Sequence, residues 1–193
     1  MTVSGYTLLE VMFAMALSVT LGAVATPQFL TVVDDVRAAG AVRYVVTRLQ
    51  HARMEAVVRS TDVGVQFSAT ARGYTAAIYR DGNRNGIRTD DIQSGTDPRI
   101  GSVELVSDLF LGVDFGTLAG LPAVDPSGTP PGTDPIRLGS SNILTFTPLG
   151  TATSGSLYLR GRRHTQYVIR ISGETGKVRV LKFDPQSQRW KPS

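Results

Sequence analysis

The apolar pattern of the chain changes character twice, near residue 30 and near residue 60. Between Val11 and Val33 there are 23 positions without a charged residue. A helix rises 1.5 Å per residue, so about 20 apolar residues cross the hydrocarbon core of a bilayer. The pattern therefore predicts a membrane-spanning helix. Ala23-Val-Ala25 also resembles a secretory cleavage site, but Glu10 stands where such a signal carries Lys or Arg.

Beyond Pro27, apolar residues recur every three or four positions, which predicts an amphipathic helix. Pro27 lacks an N–H group and is expected to bend the helix or free a backbone carbonyl. A helix from Tyr6 to about Ser60 would be about 80 Å long. The stripe predicted to face a protein core consists of Val32, Val36, Ala39, Val42, Val46, Leu49, Ala52 and Ala56.

After Ser60 the apolar runs become short, β-branched or aromatic, and Gly, Pro or polar residues separate them. This pattern predicts strands. They are expected at 63–67, 74–79, 102–106, 143–147, 156–160, 166–171 and 177–183. The Pro, Gly and Thr residues of 116–139 predict an exposed loop. One long helix followed by antiparallel strands gives an α+β fold.

The charge distribution adds a polarity that the net charge of +4 hides. Residues 61–158 hold six Arg and ten acidic residues, whereas 159–193 hold nine Lys or Arg and two acidic residues. The chain has no cysteine, which excludes disulfides, thiolate metal sites and cysteine nucleophiles.

The N-terminal motif Gly5-Tyr6-Thr7-Leu8-Leu9-Glu10 resembles the processing signal of type IV pilins and type II secretion pseudopilins. The resemblance implies that a prepilin peptidase cleaves between Gly5 and Tyr6 and that Tyr6 is then N-methylated. It also implies that Glu10 and Pro27 serve in assembly with other pilins or pseudopilins.

The single carboxylate at the head of the apolar run also has a physical interpretation. A charge in lipid is costly unless it is paired. Cleavage after Gly5 would create an amine that Glu10 of a neighbouring subunit can attract, which would set the axial register. The alternative is a Glu10 that only meets lipid headgroups.

The head resembles the GspH/FimT-like minor pseudopilins and minor pilins. The matching stretches are Leu49–Ala56, Thr145–Gly150 and Gly173–Phe183. The resemblance implies a leader at 1–5, a membrane helix half at 6–30, an amphipathic half at 31–60 and a β-rich head at 61–193. It also implies a single-pass protein of the bacterial inner membrane with a periplasmic head, or a subunit incorporated in a pilus or pseudopilus.

A second motif, at 81–91, matches the first half of an EF-hand calcium loop. Asp81, Asn83 and Asn85 precede Gly86, and alternating oxygens can converge on Ca²⁺. Asp90 and Asp91 are the candidate later ligands. The alternative is a Gly/Asn-rich turn in which Asp81 caps the backbone.

The basic C-terminal strands are a candidate DNA surface, since cations beside aromatic residues can follow a phosphate backbone. The candidate residues are Arg160, Arg162, Arg163, Lys177, Arg179 and Lys182. Gly176-Lys-Val-Arg179 is similar to the G-R-x-R stretch with which FimT-like minor pilins hold DNA. The alternative is a solvated edge or a patch that contacts an acidic neighbouring subunit.

No catalytic constellation is evident. His51 and His164 have no carboxylate partner at an interpretable spacing, and phosphate-loop and dinucleotide motifs are absent. The sequence therefore predicts a structural protein and no enzyme.

Overall fold

The computed structural model of the protein describes residues 5–126 and 128–193. Helix α1, Leu8–Arg59, contains 52 residues, which corresponds to about 78 Å. It ends at Ser60, which adopts a left-handed conformation with φ 51°. The single long helix agrees with the predicted one, and it is continuous through position 27.

In the described part of the chain, ten strands and two short helices follow α1, and the seven predicted strands are all present. The elements are β1 (Val63–Thr70), β2 (Gly73–Arg80), α2 (Thr89–Ser94), β3 (Arg99–Leu105), α3 (Val106–Leu109), β4 (Asp114–Phe115), β5 (Ile136–Arg137), β6 (Ile143–Phe146), β7 (Gly155–Arg160), β8 (Gln166–Ile171), β9 (Val178–Asp184) and β10 (Arg189–Pro192).

The strands form two sheets, and all of the pairings are antiparallel. The first sheet has the order β3-β2-β1-β6. The second has the order β10-β9-β8-β7-β4, with β5 also paired to β7. The helix and the two sheets confirm the α+β prediction.

The second half of α1 packs against both sheets through one hydrophobic core. Its buried residues are Ala38, Ala41, Val42, Val45, Leu49, Ala52 and Ala56. Val32 and Val36, which were predicted to face the core, are exposed instead, so that part of the prediction is wrong. The apolar core stripe begins at Ala38, whereas the preceding turn meets the head through the polar side chains of Asp34 and Asp35.

The segment 116–139 is not the freely exposed loop that its composition predicts. Leu121, Ile136 and Leu138 are buried, and the Trp190 Nε1–H donates to the Pro122 carbonyl at 3.1 Å. Ile136 and Leu138 therefore belong to the hydrophobic core, and Pro122 lies against Trp190 of the second sheet. The Pro, Gly and Thr residues of the segment predict a loop, but its buried apolar side chains hold it against the head.

No other part of the described chain packs on the first half of α1. Its side chains are exposed wherever the structure describes them before Val33, although the segment is strongly apolar. By length and composition, α1 is a candidate membrane span.

Candidate functional site

The start of α1 is closed by a reciprocal capping box between Thr7 and Glu10. The Glu10 N–H donates to Thr7 Oγ1 at 3.3 Å, and the Thr7 N–H donates to Glu10 Oε2 at 2.8 Å. The Thr7 hydroxyl also donates to Glu10 Oε2 at 2.9 Å. The carboxylate is therefore held beside the first peptide of the helix. The Thr-x-x-Glu spacing signals such a cap, and the sequence interpretation overlooked it.

The predicted cleavage point lies just outside the helix. Gly5 and Tyr6 precede the capping residue, and Tyr6 is 88% exposed. The rest of the predicted leader, residues 1–4, and the side chain of Pro27 lie outside the described part of the structure. Cleavage, methylation and the assembly role of Pro27 stay predictions.

Where α1 meets the head, Asp34 fastens the turn between β7 and β8. Asp34 is 6% exposed, and its two carboxylate oxygens accept the backbone N–H groups of Arg162 and Arg163 at 2.9 and 3.1 Å. Next to it, Asp35 accepts a hydrogen bond from the Thr165 hydroxyl and pairs with Lys182 Nζ at 3.2 Å. No local pattern in the sequence predicts these contacts, since the partners are 128 or more positions away.

The EF-hand-like motif forms a compact loop between β2 and α2 in which Asp81 faces the backbone. Asp81 is buried, and its oxygens accept the N–H groups of Asn83 (3.1 Å), Arg84 (2.7 Å) and Gly86 (2.8 Å). This is the geometry of the alternative interpretation, an Asx-type cap. Asp97 adds a similar contact by accepting the Gly82 N–H at 3.0 Å.

The carboxylates predicted to complete a calcium site do not converge with Asp81. Asp90 and Asp91 lie in the first turn of α2. Within the residues that the structure describes, no group of three His, Cys, Asp or Glu is arranged to hold a metal ion. Asp62 lies near the same loop, and its burial and the neighbouring Asp81 raise its pKa. Calcium binding stays a prediction.

The candidate DNA residues fall into two groups at opposite ends of the second sheet. Arg160 pairs with Gln166 at one end, whereas Gly155, Ile171 and Val178 are in register at the other. Five positions along a strand separate these ends by about 17 Å. Arg160, Arg162, Arg163 and Lys182 lie toward the first end, and Lys177 and Arg179 toward the second.

An open cleft of about 910 Å³ lies beside Lys177 and Arg179 on the outer face of the second sheet. Its lining includes Trp190, Arg170 and Glu174. Arg170 is held by an ion pair with Asp125. Lys177 and Arg179 are exposed and have no ion pair among the described residues. The lining of the cleft thus contains two available cations and an aromatic ring.

The model of one protein family, described as type II transport protein GspH, matches residues 41–176. This range contains the packed part of α1 from Ala41 onward and the strands from β1 to β8. The chain belongs to the GspH family.

Among solved structures, this chain is similar to the minor pseudopilin EpsH of the type 2 secretion system of Vibrio cholerae. The match covers 75% of this GspH-family chain and 94% of EpsH, with 15% identity and a TM-score of 0.47. Comparison with curated proteins gave no match.

Membership confirms the family predicted from the N-terminal and head motifs. GspH proteins are pseudopilins, structural subunits of type II secretion, and the family is not one of enzymes. The family match ends before Lys177 and Arg179 and begins after the apolar half of α1.

Proposed function

We propose that this GspH-family protein is a minor pseudopilin subunit that assembles through α1 in a type II secretion system or a type IV pilus. Residues 6–30 anchor it in the inner membrane and the head, 61–193, faces the periplasm. Prepilin peptidase removes residues 1–5, and Tyr6 becomes the N-methylated first residue.

The observation that carries this proposal is the change of environment along one continuous helix. From Ala38 to Ala56, every residue of one stripe is buried in the head, whereas the apolar side chains near the start of α1 are exposed. Exposed apolar surface costs about 25 cal/mol per Å² in water. The first half of α1 therefore needs lipid before assembly and neighbouring helices after it.

The capping box supports a role for Glu10 in register. Cleavage after Gly5 would place an amine on Tyr6, next to the peptide that Glu10 already contacts through Thr7. The carboxylate is thus oriented toward the helix end at which an approaching subunit would present its own amine. Pairing of the two charges stabilises one axial offset more than its neighbours, because an unpaired charge in lipid is costly.

The test is the mass of the N-terminal peptide from cells with and without prepilin peptidase. We expect a peptide that begins at Tyr6 and carries one added methyl group only when the peptidase is present. The G5V variant should keep its leader, and G22V is the matched control, since both glycines have open space around the Cβ position. A mature chain that begins elsewhere would overturn the proposal.

A second candidate function is DNA capture at the cleft, favoured by the exposed Lys177 and Arg179, which line the cleft together with Trp190. Phosphate contacts by cations weaken as salt rises. An electrophoretic mobility shift with the purified chain should therefore be salt-sensitive and should disappear in K177Q/R179Q. The matched control is R162Q/R163Q, which removes the same charge at the other end of the sheet. No shift by the unaltered protein at moderate salt rejects this function.

A further inference from the structure

We propose that the membrane-proximal end of the head rests on the anionic lipid headgroups of the bilayer that holds α1. The contact surface consists of Arg162, Arg163, His164 and Leu111, and we call it the basal rim. The inference rests on the proposed function, because it requires α1 to be anchored in a bilayer. Arg162 and Arg163 lie at the end of the second sheet opposite the cleft, so DNA bound at the cleft would not contact them. The present proposal assigns these two arginines a different partner.

The helix itself fixes the height of the basal rim. Asp34 is the first charged residue after the 23 uncharged positions from Val11 to Val33. Its buried carboxylate accepts the N–H groups of both Arg162 and Arg163. The arginines are thus attached to α1 at the residue where the charge-free segment ends, which is the level of the lipid headgroups when that segment spans the membrane.

The two arginine side chains of the basal rim are available for an external partner. Arg162, Arg163 and His164 are exposed, and neither arginine has an ion pair among the described residues. The nearby acidic residues have partners. Asp34 accepts backbone N–H groups, Asp35 pairs with Lys182, and Asp184 pairs with Lys191. Arg162 and Arg163 are therefore the charged side chains of the rim that are open to an external partner.

An exposed apolar side chain lies at the same end. A Cβ atom on Gly112 would lie 3.2 Å from Arg162 Cβ, and one on Gly40 would lie 3.1 Å from the Phe110 ring. Leu111 lies between Phe110 and Gly112 in the sequence, and it is 67% exposed. Gly40 is six residues beyond Asp34, or about 9 Å along the helix. A leucine beside cations is a composition suited to the boundary between headgroups and acyl chains.

The opposite end of the head is too far from the bilayer for a similar contact. Arg53 Nη2 donates to the Thr175 carbonyl at 3.0 Å, which attaches the turn before Lys177 to the late part of α1. Arg53 follows Asp34 by 19 residues, or about 28 Å of helix. Surface potentials fall off within about 10 Å at moderate salt. Lys177 and Arg179 therefore provide an internal control with the same charge.

The experiment uses the full chain in lipid vesicles and an environment-sensitive fluorophore. Because the chain has no cysteine, H164C and T175C each give a single labelling site, one at the basal rim and one at the distal end. A quencher carried on the lipid headgroup reports proximity to the bilayer. Vesicles of phosphatidylcholine alone are compared with vesicles that also contain phosphatidylglycerol.

We expect quenching of the label at 164 to rise with phosphatidylglycerol and to fall with added salt, while the label at 175 responds to neither. Each basic residue near an anionic surface contributes about 1 kcal/mol, so two arginines shift the ratio of docked to undocked heads by about thirtyfold. R162Q/R163Q should abolish the lipid dependence, and K177Q/R179Q should retain it. The backbone contacts to Asp34 stay in place in both variants, and Trp190 fluorescence checks that the head is folded.

Equal quenching at 164 in both kinds of vesicle, or unchanged lipid dependence in R162Q/R163Q, overturns the proposal. So does a 164 signal that follows the protein-to-lipid ratio, because that result places a second protein copy at the rim. If the chain fails to stay with the vesicles, the membrane anchor and the proposed function fail. If it stays and the label at 164 is indifferent to lipid charge, only the basal rim fails.

Discussion

Among single residues, Asp34 carries the join between α1 and the second sheet. Replacing it with alanine leaves two N–H donors of the Gly161–Thr165 turn without their acceptor. Hydrogen bonds to a charged group contribute about 1.5 to 3 kcal/mol each. We expect D34A to lower the free energy of unfolding by about 3 kcal/mol, measured by urea denaturation of the detergent-solubilised chain with Trp190 fluorescence.

The neighbouring residue supplies a control for that measurement. The Asp35 side chain is 42% exposed and pairs with Lys182, and exposed ion pairs contribute about 1 kcal/mol or less. D35N, whose amide oxygen can still accept the Thr165 hydroxyl, loses only the ion pair and should therefore cost much less than D34A. Similar losses in the two variants would show that the buried carboxylate does not hold the turn.

Asp62 gives a prediction about pH. Burial and repulsion from Asp81 raise its pKa in the folded protein, so ionisation of Asp62 disfavours the folded state. Its contribution to stability is present below the unfolded-state pKa of about 4 and is lost as pH rises through the folded pKa. We expect D62N to be more stable than the unaltered chain at pH 7, by less than about 1 kcal/mol because solvent screens a half-exposed group.

That gain should disappear at pH 3, where Asp62 is protonated in both states. Thermal unfolding of D62N and the unaltered chain at the two pH values measures the difference. Repeating the pH 7 comparison with calcium and with a chelator tests the metal hypothesis as well, because a cation at this loop would stabilise ionised carboxylates. A D62N gain that is equal at pH 3 and pH 7 would contradict the assigned cause.

The elements of the fold were predictable where the pattern is long or strictly alternating. Helix α1 and seven strands follow from periodicity, whereas β4 and β5 with two residues each and β10 with four are too short to leave a periodic signal. The phase of the core stripe was predicted only beyond residue 38. Val32 and Val36 have the spacing and the apolar side chains of core residues. Whether they are buried depends on how far the head extends along α1, which the local sequence does not show.

The candidate sites show a similar division between local and distant information. The capping box is a local pattern and could have been found from Thr7 and Glu10. The contact of Asp34 with Arg162 and Arg163 joins distant parts of the chain. The loop after β2 has an EF-hand spacing, yet spacing does not decide whether Asp81 faces an ion or its own backbone. In the structure, three N–H groups occupy its oxygens.

The buried stripe of α1 contains several alanines, whose small side chains let the helix pack closely on the sheets. A larger side chain at one of these positions tests how close that packing is. Ala38, Ala41, Ala52 and Ala56 have no exposed surface. Extra methylenes in a packed core cost about 1 to 3 kcal/mol, so A52L should lower the free energy of unfolding by that amount. Q50L, at an exposed position two residues away, should change it by about 0.5 kcal/mol or less. Urea denaturation of both variants measures the contrast, and equal effects would indicate that α1 is packed loosely.

At the scale of the whole molecule, the head should be thermodynamically independent of the membrane half of α1. The described side chains before Val33 are exposed, and the core begins at Ala38. A chain comprising residues 31–193 keeps Asp34 and all buried helix residues. We expect it to be soluble and to unfold with a free energy within about 0.5 kcal/mol of the full chain in detergent, since it loses no described packing.

A second, longer truncation tests how much of α1 the head needs in order to fold. A chain comprising residues 46–193 lacks Asp34, Ala38, Ala41, Val42 and Val45, and so loses both the turn contact and half of the core stripe. Each large buried aliphatic side chain that is removed costs about 2 kcal/mol or more, so this chain should not fold cooperatively. Urea unfolding of both truncations by Trp190 fluorescence measures the boundary. If residues 31–193 were clearly less stable than the full chain, the apolar half of α1 would have to contact the head, and a helix divided between lipid and protein would be the wrong description.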